Sequence, residues 1–190
     1  MGCTAARDER LAGWFNMKFN ASMVQTRCTT PLGDLTLAAS PNGLAGAWFD
    51  NQRHLPAALA AAQLAGHAPF WPEQATNPIL QAAVKQLAAY FSGQQIHFDL
   101  PLDMTAGSPF QQAVWRALLA IPRGRTTSYG ALSASIGRPS AVRAVGGAIG
   151  RNPLSIVVPC HRVIGSTGSL TGYAGGLERK TSLLQLEGAL

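Results

Sequence analysis

Between Ile156 and Ile164 the chain reads Ile156-Val157-Val158-Pro159-Cys160-His161-Arg162-Val163-Ile164. The apolar residues on either side predict a buried segment, yet a thiol, an imidazole and a guanidinium stand at its centre. Burying such groups is costly unless each has a partner or a task, so the fold has to supply both around this stretch. A cysteine attacks only as thiolate, and a neighbouring imidazole or a helix N-terminus lowers its pKa. Free cysteine is also among the most buried residue types, which makes a purely structural Cys160 the simpler reading. Pro159, which fixes the chain, and His161, which offers a base, favour a nucleophile.

The remaining chain divides in two. Val24–Cys28 alternates like a strand, and Thr30-Pro31-Leu32-Gly33 reads as a turn. Two more strands, at Leu35–Ala39 and Leu44–Phe49, are joined by a turn at Pro41-Asn42-Gly43. Turns this short imply an antiparallel meander. Leu55–Leu64 is Ala-rich and predicts a helix. Asn77 as N-cap and Pro78 at the first helical position open another, with Leu80, Val84, Leu87 and Phe91 at helical spacing and Gly93 ending it. Ile96–Leu100 reads as a final short strand.

The second half opens on Ser108-Pro109-Phe110-Gln111, a capping box, with Phe110, Val114 and Leu118 as the apolar stripe and Trp115 beside it. Ile121–Thr127 is a loop. A short helix over Tyr129–Ile136 closes at Gly137, and Ser140 is expected to cap a second helix from Ala141 to about Ile149. Two short helices about such a turn have the form of a helix-turn-helix. The second carries Ala141, Ala144, Gly146, Gly147, Ala148 and Gly150, which leave almost no side chains to read base edges in a major groove. Small residues permit either close approach to a narrow groove or close packing within the protein. Arg143, in the first turn, favours the groove.

The expected fold class is α+β. It comprises a flexible extension (1–22), an N-terminal α/β scaffold with an antiparallel sheet (23–100), a linker (101–107) and a mainly helical, winged-helix-like C-terminal unit (108–190). Hydrophobic residues make up 47% of the 190, enough for a core and too many for wholesale disorder. No apolar run approaches membrane-span length. Cys3, Cys28 and Cys160 give neither a disulfide framework nor a metal-ligand spacing, and a reactive Cys160 has to stay reduced, which points to the cytoplasm. The net charge of +6 favours a polyanionic partner. Arg116, Arg123, Arg125, Arg138, Arg143, Arg151, Arg162, Arg179 and Lys180 place that surface in the second half.

The segment Pro159-Cys160-His161-Arg162-Val163 resembles the active-site signature of the O6-alkylguanine-DNA alkyltransferases, which are suicide DNA-repair proteins. Ser128-Tyr129-Gly130, Arg143–Ala148, Arg151-Asn152-Pro153 and Thr171–Gly176 are similar to the same family in order and spacing. The resemblance is dense from Ser108 to Gly188 and loose before it. It implies a monomer that binds double-stranded DNA through the minor groove without regard to sequence, with Ser128, Tyr129, Arg143, Ala144, Gly146 and Arg151 as contact residues. Reaching an O6-alkyl group requires flipping the nucleotide out of the stack. Arg143 is then implied to fill the vacated space.

The resemblance further implies that Cys160 accepts the alkyl group irreversibly from O6-alkylguanine, and also from O4-alkylthymine. His161 would take the thiol proton through a water, oriented by Glu187. Asn152 would hold the turn between the second helix and an active-site strand. Tyr129 would donate to guanine N3. The carbonyls of Cys160 and Val163 would accept from the exocyclic amine, the Ala174 N–H would reach O6, and Tyr173 would line the base pocket. No cofactor is implied. Ala174 departs from the serine common in the family, which predicts altered tolerance for bulky O6 groups. Some relatives hold a structural zinc, but Ser40 and Ala45 stand at two of its ligand positions and His54, His67 and His97 read as surface residues, so no metal is expected.

Three other functions fit parts of this pattern. A cysteine hydrolase would use Cys160 and His161 as a dyad, although adjacent residues rarely bring sulfur and imidazole together, and no oxyanion-hole motif stands out. A damage-recognising module without activity would lack the acceptor cysteine. A transcriptional regulator would carry base-reading side chains on its second helix.

Overall fold

The structure, a computed structural model, describes residue 19 and residues 22–57, 59–61, 70–95 and 97–190. The meander forms as expected, from β1 (Val24–Cys28), β2 (Leu35–Ser40) and β3 (Gly43–Phe49) in antiparallel order. Leu35, Leu37 and Ala39 of β2 and Leu44, Ala47 and Phe49 of β3 are buried on the face that joins the main core. Ala38, Ala45 and Trp48 turn to the opposite face, where Trp71 stacks on Trp48 at 5.9 Å and Phe19 packs edge-on to both. The sheet is therefore covered on both sides, and β2 and β3 are buried along their whole length.

The free edge of β3 is closed by segments of later sequence. Leu44 N–H donates to Pro101 O and Asp103 N–H to Leu44 O, while Ala47 N–H donates to Pro153 O and Ser155 N–H to Ala47 O. Unpaired edge groups would otherwise face water or another chain. The 153–155 pairing ties the sheet directly to the stretch leading into Cys160. The main apolar core runs from Leu35 and Leu80 through Trp115 and Val145 to Val158 and Leu183.

Helix α1 (Pro78–Phe91) starts on Asn77, whose side chain accepts from Ile79 N–H and Leu80 N–H. Its fully buried face is Leu80, Ala83, Leu87 and Tyr90, with Val84 and Phe91 only partly buried at its flank. Helix α2 (Pro109–Leu119) carries the predicted capping box, with Gln111 N–H donating to Ser108 Oγ and Ser108 N–H to Gln111 Oε1. Trp115 is fully buried, and its Nε1 donates to Ala148 O at 2.8 Å, which fastens α2 to the second helix of the helix-turn-helix.

That motif consists of α3 (Tyr129–Ser135) and α4 (Val142–Gly150), preceded by β4 (Thr127–Ser128). Gly137 makes the turn at a φ of 70°. Parallel pairing of β4 with β5 (Val163–Ile164) joins the motif to the acceptor segment, and α5 (Leu177–Leu186) closes the chain.

Three expectations are corrected. Ile96–Leu100 forms no strand among its described residues, because Gln86 satisfies the backbone there instead: its Nε2 donates to Asp99 O and its Oε1 accepts from Asp99 N–H. Ser140 caps nothing: Ala141 holds the N-cap position of α4, without a side-chain bond. The active-site segment is not a strand at Cys160, which instead lies in a 3-10 turn over Cys160–Arg162. His54 is exposed, in line with a surface histidine, and lines the cleft described below. The helix expected over Leu55–Leu64 is seen at residues 57 and 59–61, and the rest of it lies outside the described residues, as do His67, Cys3 and most of the N-terminal extension. Ser40 commits its hydroxyl to Asp103 at 2.5 Å, and Ala45 offers only a methyl in the apolar core, so these positions do not fit a zinc.

Candidate active site

The turn bearing Cys160 is approached through tight backbone. Ile156 adopts a φ of 73°, a region β-branched residues avoid, and Val157 N–H reaches back to Ser155 O. Such a residue stores on the order of 1–3 kcal/mol and persists only where packing holds it. Ile156 is buried, and Ser155 is held by Gln52 and by β3.

Asn152, two residues past the end of α4, organises the turn. Its Oδ1 accepts from Leu154 N–H, and its Nδ2 donates to Val158 O at 2.8 Å and to Cys160 Sγ at 3.1 Å. Cys160 itself is buried. Burial raises its thiol above the ordinary value, and the Asn152 amide and the charge of Lys180 pull it partway back.

Beside the thiol lies a closed ionic network. Glu187, which caps α5, is 7% exposed and not the exposed helix-end charge its position suggests. Its Oε1 receives Tyr90 Oη at 2.7 Å, Arg162 Nη2 at 2.8 Å and His161 Nε2 at 3.0 Å, and its Oε2 receives Arg162 Nε at 2.8 Å. Burial acts to raise the carboxyl, but these bonds from His161, Arg162 and Tyr90 overcome it and hold Glu187 well below the usual carboxylate range. An ionised carboxylate only accepts, so the proton of a neutral His161 sits on Nε2. Burial lowers the His161 pKa against the opposing pull of Glu187, which keeps the ring neutral. Its Nδ1 is then a buried acceptor with no hydrogen-bond partner among the described residues.

A cleft of about 200 Å³ adjoins this centre, lined by Arg53, His54, Tyr129, Gly146, Ile149, Gly150, Gly172, Tyr173 and Ala174. Tyr129 Oη donates to Thr171 O at 3.1 Å and approaches Gly172 O at 3.4 Å. Gly172 has a φ of 53°, and a Cβ there would lie 3.1 Å from that hydroxyl. Burial raises the Tyr129 pKa and keeps the phenol protonated. Tyr173 is buried, and its hydroxyl points toward Ser155 without closing a full hydrogen bond.

Lys180, which reads as surface charge in the sequence, is fully buried. Its Nζ donates to Val163 O at 2.5 Å, Thr171 O at 2.7 Å and Gly172 O at 3.3 Å. Burial lowers its pKa to about 8, against the field of Cys160. The Val163 and Cys160 carbonyls thus already accept from Lys180 and Val163 N–H, and each retains a second lone pair.

The structure brings Cys160, His161, Glu187 and Asn152 into one cluster and Tyr129, Tyr173, Ala174 and Gly146 into the adjoining cleft. Arg143 and Ala144 lie on the exposed face of α4, whereas Gly146 turns toward the Tyr129 ring. Ser128 is the N-cap of α3, its Oγ accepting from Ala131 N–H, and Arg151 folds back to Gly147 O at the end of α4. Several cations counted as surface charge point inward. Arg162 and Lys180 serve the site, Arg179 lies over Phe49 and donates to Leu32 O, and Arg123 lies over Tyr90 and donates to Leu186 O. Arg116, Arg125, Arg138 and Arg143 remain exposed.

Residues 23–104 match the family model of the 6-O-methylguanine DNA methyltransferase ribonuclease-like domain, and residues 109–189 that of the DNA binding domain. The methylated-DNA–protein-cysteine methyltransferase of Mycolicibacterium paratuberculosis is 48% identical over 159 residues, 83% of this chain and 88% of that protein. The protein of the same name from Salmonella typhimurium is 56% identical over 116 residues, covering 61% of this chain and 67% of its own length. A Mycobacterium tuberculosis relative crystallised in complex with DNA superposes with a TM-score of 0.73 at 42% identity, covering 88% of this chain and 92% of that one. With family models covering both halves and a relative of this identity matched over most of both lengths, the chain belongs to the 6-O-methylguanine DNA methyltransferase family.

Proposed function

We propose that this protein repairs DNA by moving the alkyl group of O6-alkylguanine irreversibly onto Cys160. The observation that carries this reading is the buried thiol, bonded to the Asn152 amide, beside a neutral imidazole whose Nε2 proton is fixed on Glu187 and whose Nδ1 is free to accept. His161 takes the thiol proton at Nδ1 through an intervening water, and Asn152 stabilises the resulting thiolate. The sulfur attacks the alkyl carbon in line, an S–C bond forms and the C–O6 bond breaks. The electron pair passes into the guanine ring as Tyr129 donates its proton to N3. The product is a thioether with no leaving group, so each molecule acts once, without a cofactor.

Supporting this assignment, the cleft is walled by Tyr129, Tyr173 and Ala174, and α4 faces it with Gly146, Ile149 and Gly150. The Cys160 and Val163 carbonyls read the exocyclic amine, and Ala174 N–H meets O6. The protein binds duplex DNA as a monomer in the minor groove. Arg143 and Ala144 enter from the exposed face, and Ser128, Gly146 and Arg151 flank the flipped nucleotide. O4-alkylthymine is a second substrate. In this reading residues 108–190 form the acceptor unit, 101–107 the connection and 23–100 the supporting unit, and the protein works in the cytoplasm. No helix among the described residues is long and apolar enough to cross a membrane. Cys160→Ser tests the nucleophile: binding to methylated duplex should persist and transfer should vanish, and transfer surviving in the variant would refute the assignment.

A further inference from the structure

The first half of the chain shows no motif of its own, yet one of its side chains enters the ionic network. Tyr90 is 1% exposed, lies on the buried face of α1, and donates its hydroxyl at 2.7 Å to Glu187 Oε1, the oxygen that also receives His161 Nε2. A tyrosine with only a packing role needs no carboxylate partner 97 positions away in sequence. We infer that Tyr90 is a positioning residue that sets the proton affinity of His161 through Glu187, so that the first half tunes the base used by the second. The inference rests on His161 acting as that base.

A carboxylate oxygen has finite accepting capacity. A proton donated by Tyr90 holds the carboxylate in one rotamer and draws charge from the oxygen that stabilises a protonated His161. Without it, Oε1 pulls harder on the imidazolium, the His161 pKa rises, and less neutral base is present at a given pH. The other ionisable groups around the pair remain in place. They are Arg162 from the acceptor turn, Lys180 acting through its field, Cys160 next to His161 in the chain, Tyr173, whose ring meets the imidazole edge-on at 6.5 Å, and Arg123, whose guanidinium lies 5.4 Å from the centre of the Tyr90 ring.

The experiment is the single-turnover transfer rate against pH for wild type, for Tyr90→Phe, and for protein carrying 3-fluorotyrosine at position 90 alone. The fluorinated phenol is a stronger donor of nearly the same size and should fold where Tyr90→Phe fails to. The acid limb of the profile should move up by roughly half a pH unit in Tyr90→Phe and down in the fluorinated protein, with plateau rates within about threefold of wild type. A wild-type acid limb that neither replacement moves would overturn the inference, whatever happened to thermal stability. A wild-type profile with no acid limb in the imidazole range would instead remove His161 as base, and this inference with it.

Discussion

The side-chain amide of Asn152 reaches the sulfur of Cys160 at 3.1 Å while the same nitrogen holds Val158 O at 2.8 Å. One group therefore fixes the acceptor turn and donates to the Cys160 sulfur, a bond that loss of the thiol proton would strengthen. A hydrogen bond to a charged group contributes about 1.5–3 kcal/mol. Asn152→Ala should slow transfer by roughly 10- to 100-fold and move the reactivity of Cys160 toward iodoacetamide to higher pH. An unchanged thiol pH profile would limit Asn152 to holding the turn.

Glu187→Gln should be severe for a different reason. The amide cannot match both Arg162 contacts, and removing one partner of a buried ion pair costs about 3–5 kcal/mol because the other charge remains. Urea unfolding should show a loss of that size, and transfer should fall with it. Loss of activity at unchanged stability would separate the carboxylate's catalytic part from its structural one.

Acid should destabilise the protein through the same groups. The folded-state pKa of His161 lies below its ordinary 6.5, so as pH falls through that value the unfolded chain takes up the proton first and stability declines. Glu187 is also depressed, and its contribution, present above the ordinary carboxylate value of 4.5, is lost on further acidification. The melting temperature should drop progressively below about pH 6.5, and His161→Gln should flatten the upper part of that fall. A melting temperature constant from pH 7 to 5 would contradict the buried neutral imidazole.

Much of this site can be read from the chain before any fold is known, because its parts are local. The burial of Ile156–Val163, the caps at Asn77 and Ser108, and the small-residue helix follow from neighbours in sequence. The missing parts depend on long-range placement. Periodicity put Phe91 on the buried stripe of α1, but the helix is rotated so that Tyr90 is buried, and a helical wheel does not show which carboxylate a tyrosine will meet. Net charge likewise carries no direction: Arg162, Lys180, Arg179 and Arg123 look like surface cations in sequence and are bonded to a carboxylate, carbonyls or rings in the fold. Ile96–Leu100 alternates like a strand, but its register partner is a glutamine side chain.

Arg143→Ala should slow repair of duplex DNA far more than reaction with free O6-benzylguanine, because only the duplex has a space to fill when its base leaves. Arg143 is exposed on α4 and belongs to no contact within the acceptor network, so folding should be unaffected. Equal losses on both substrates would assign it a structural role.

If Cys160 accepts one alkyl group and keeps it, the stoichiometry of repair is fixed at one. Protein mixed with excess O6-methylguanine duplex should repair one equivalent in a burst and then stop. The protein should gain the mass of one methyl replacing one hydrogen, and the added mass should map to the peptide containing Cys160. Repair continuing beyond one equivalent, or the methyl found on another residue, would rule out Cys160 as a single-use acceptor.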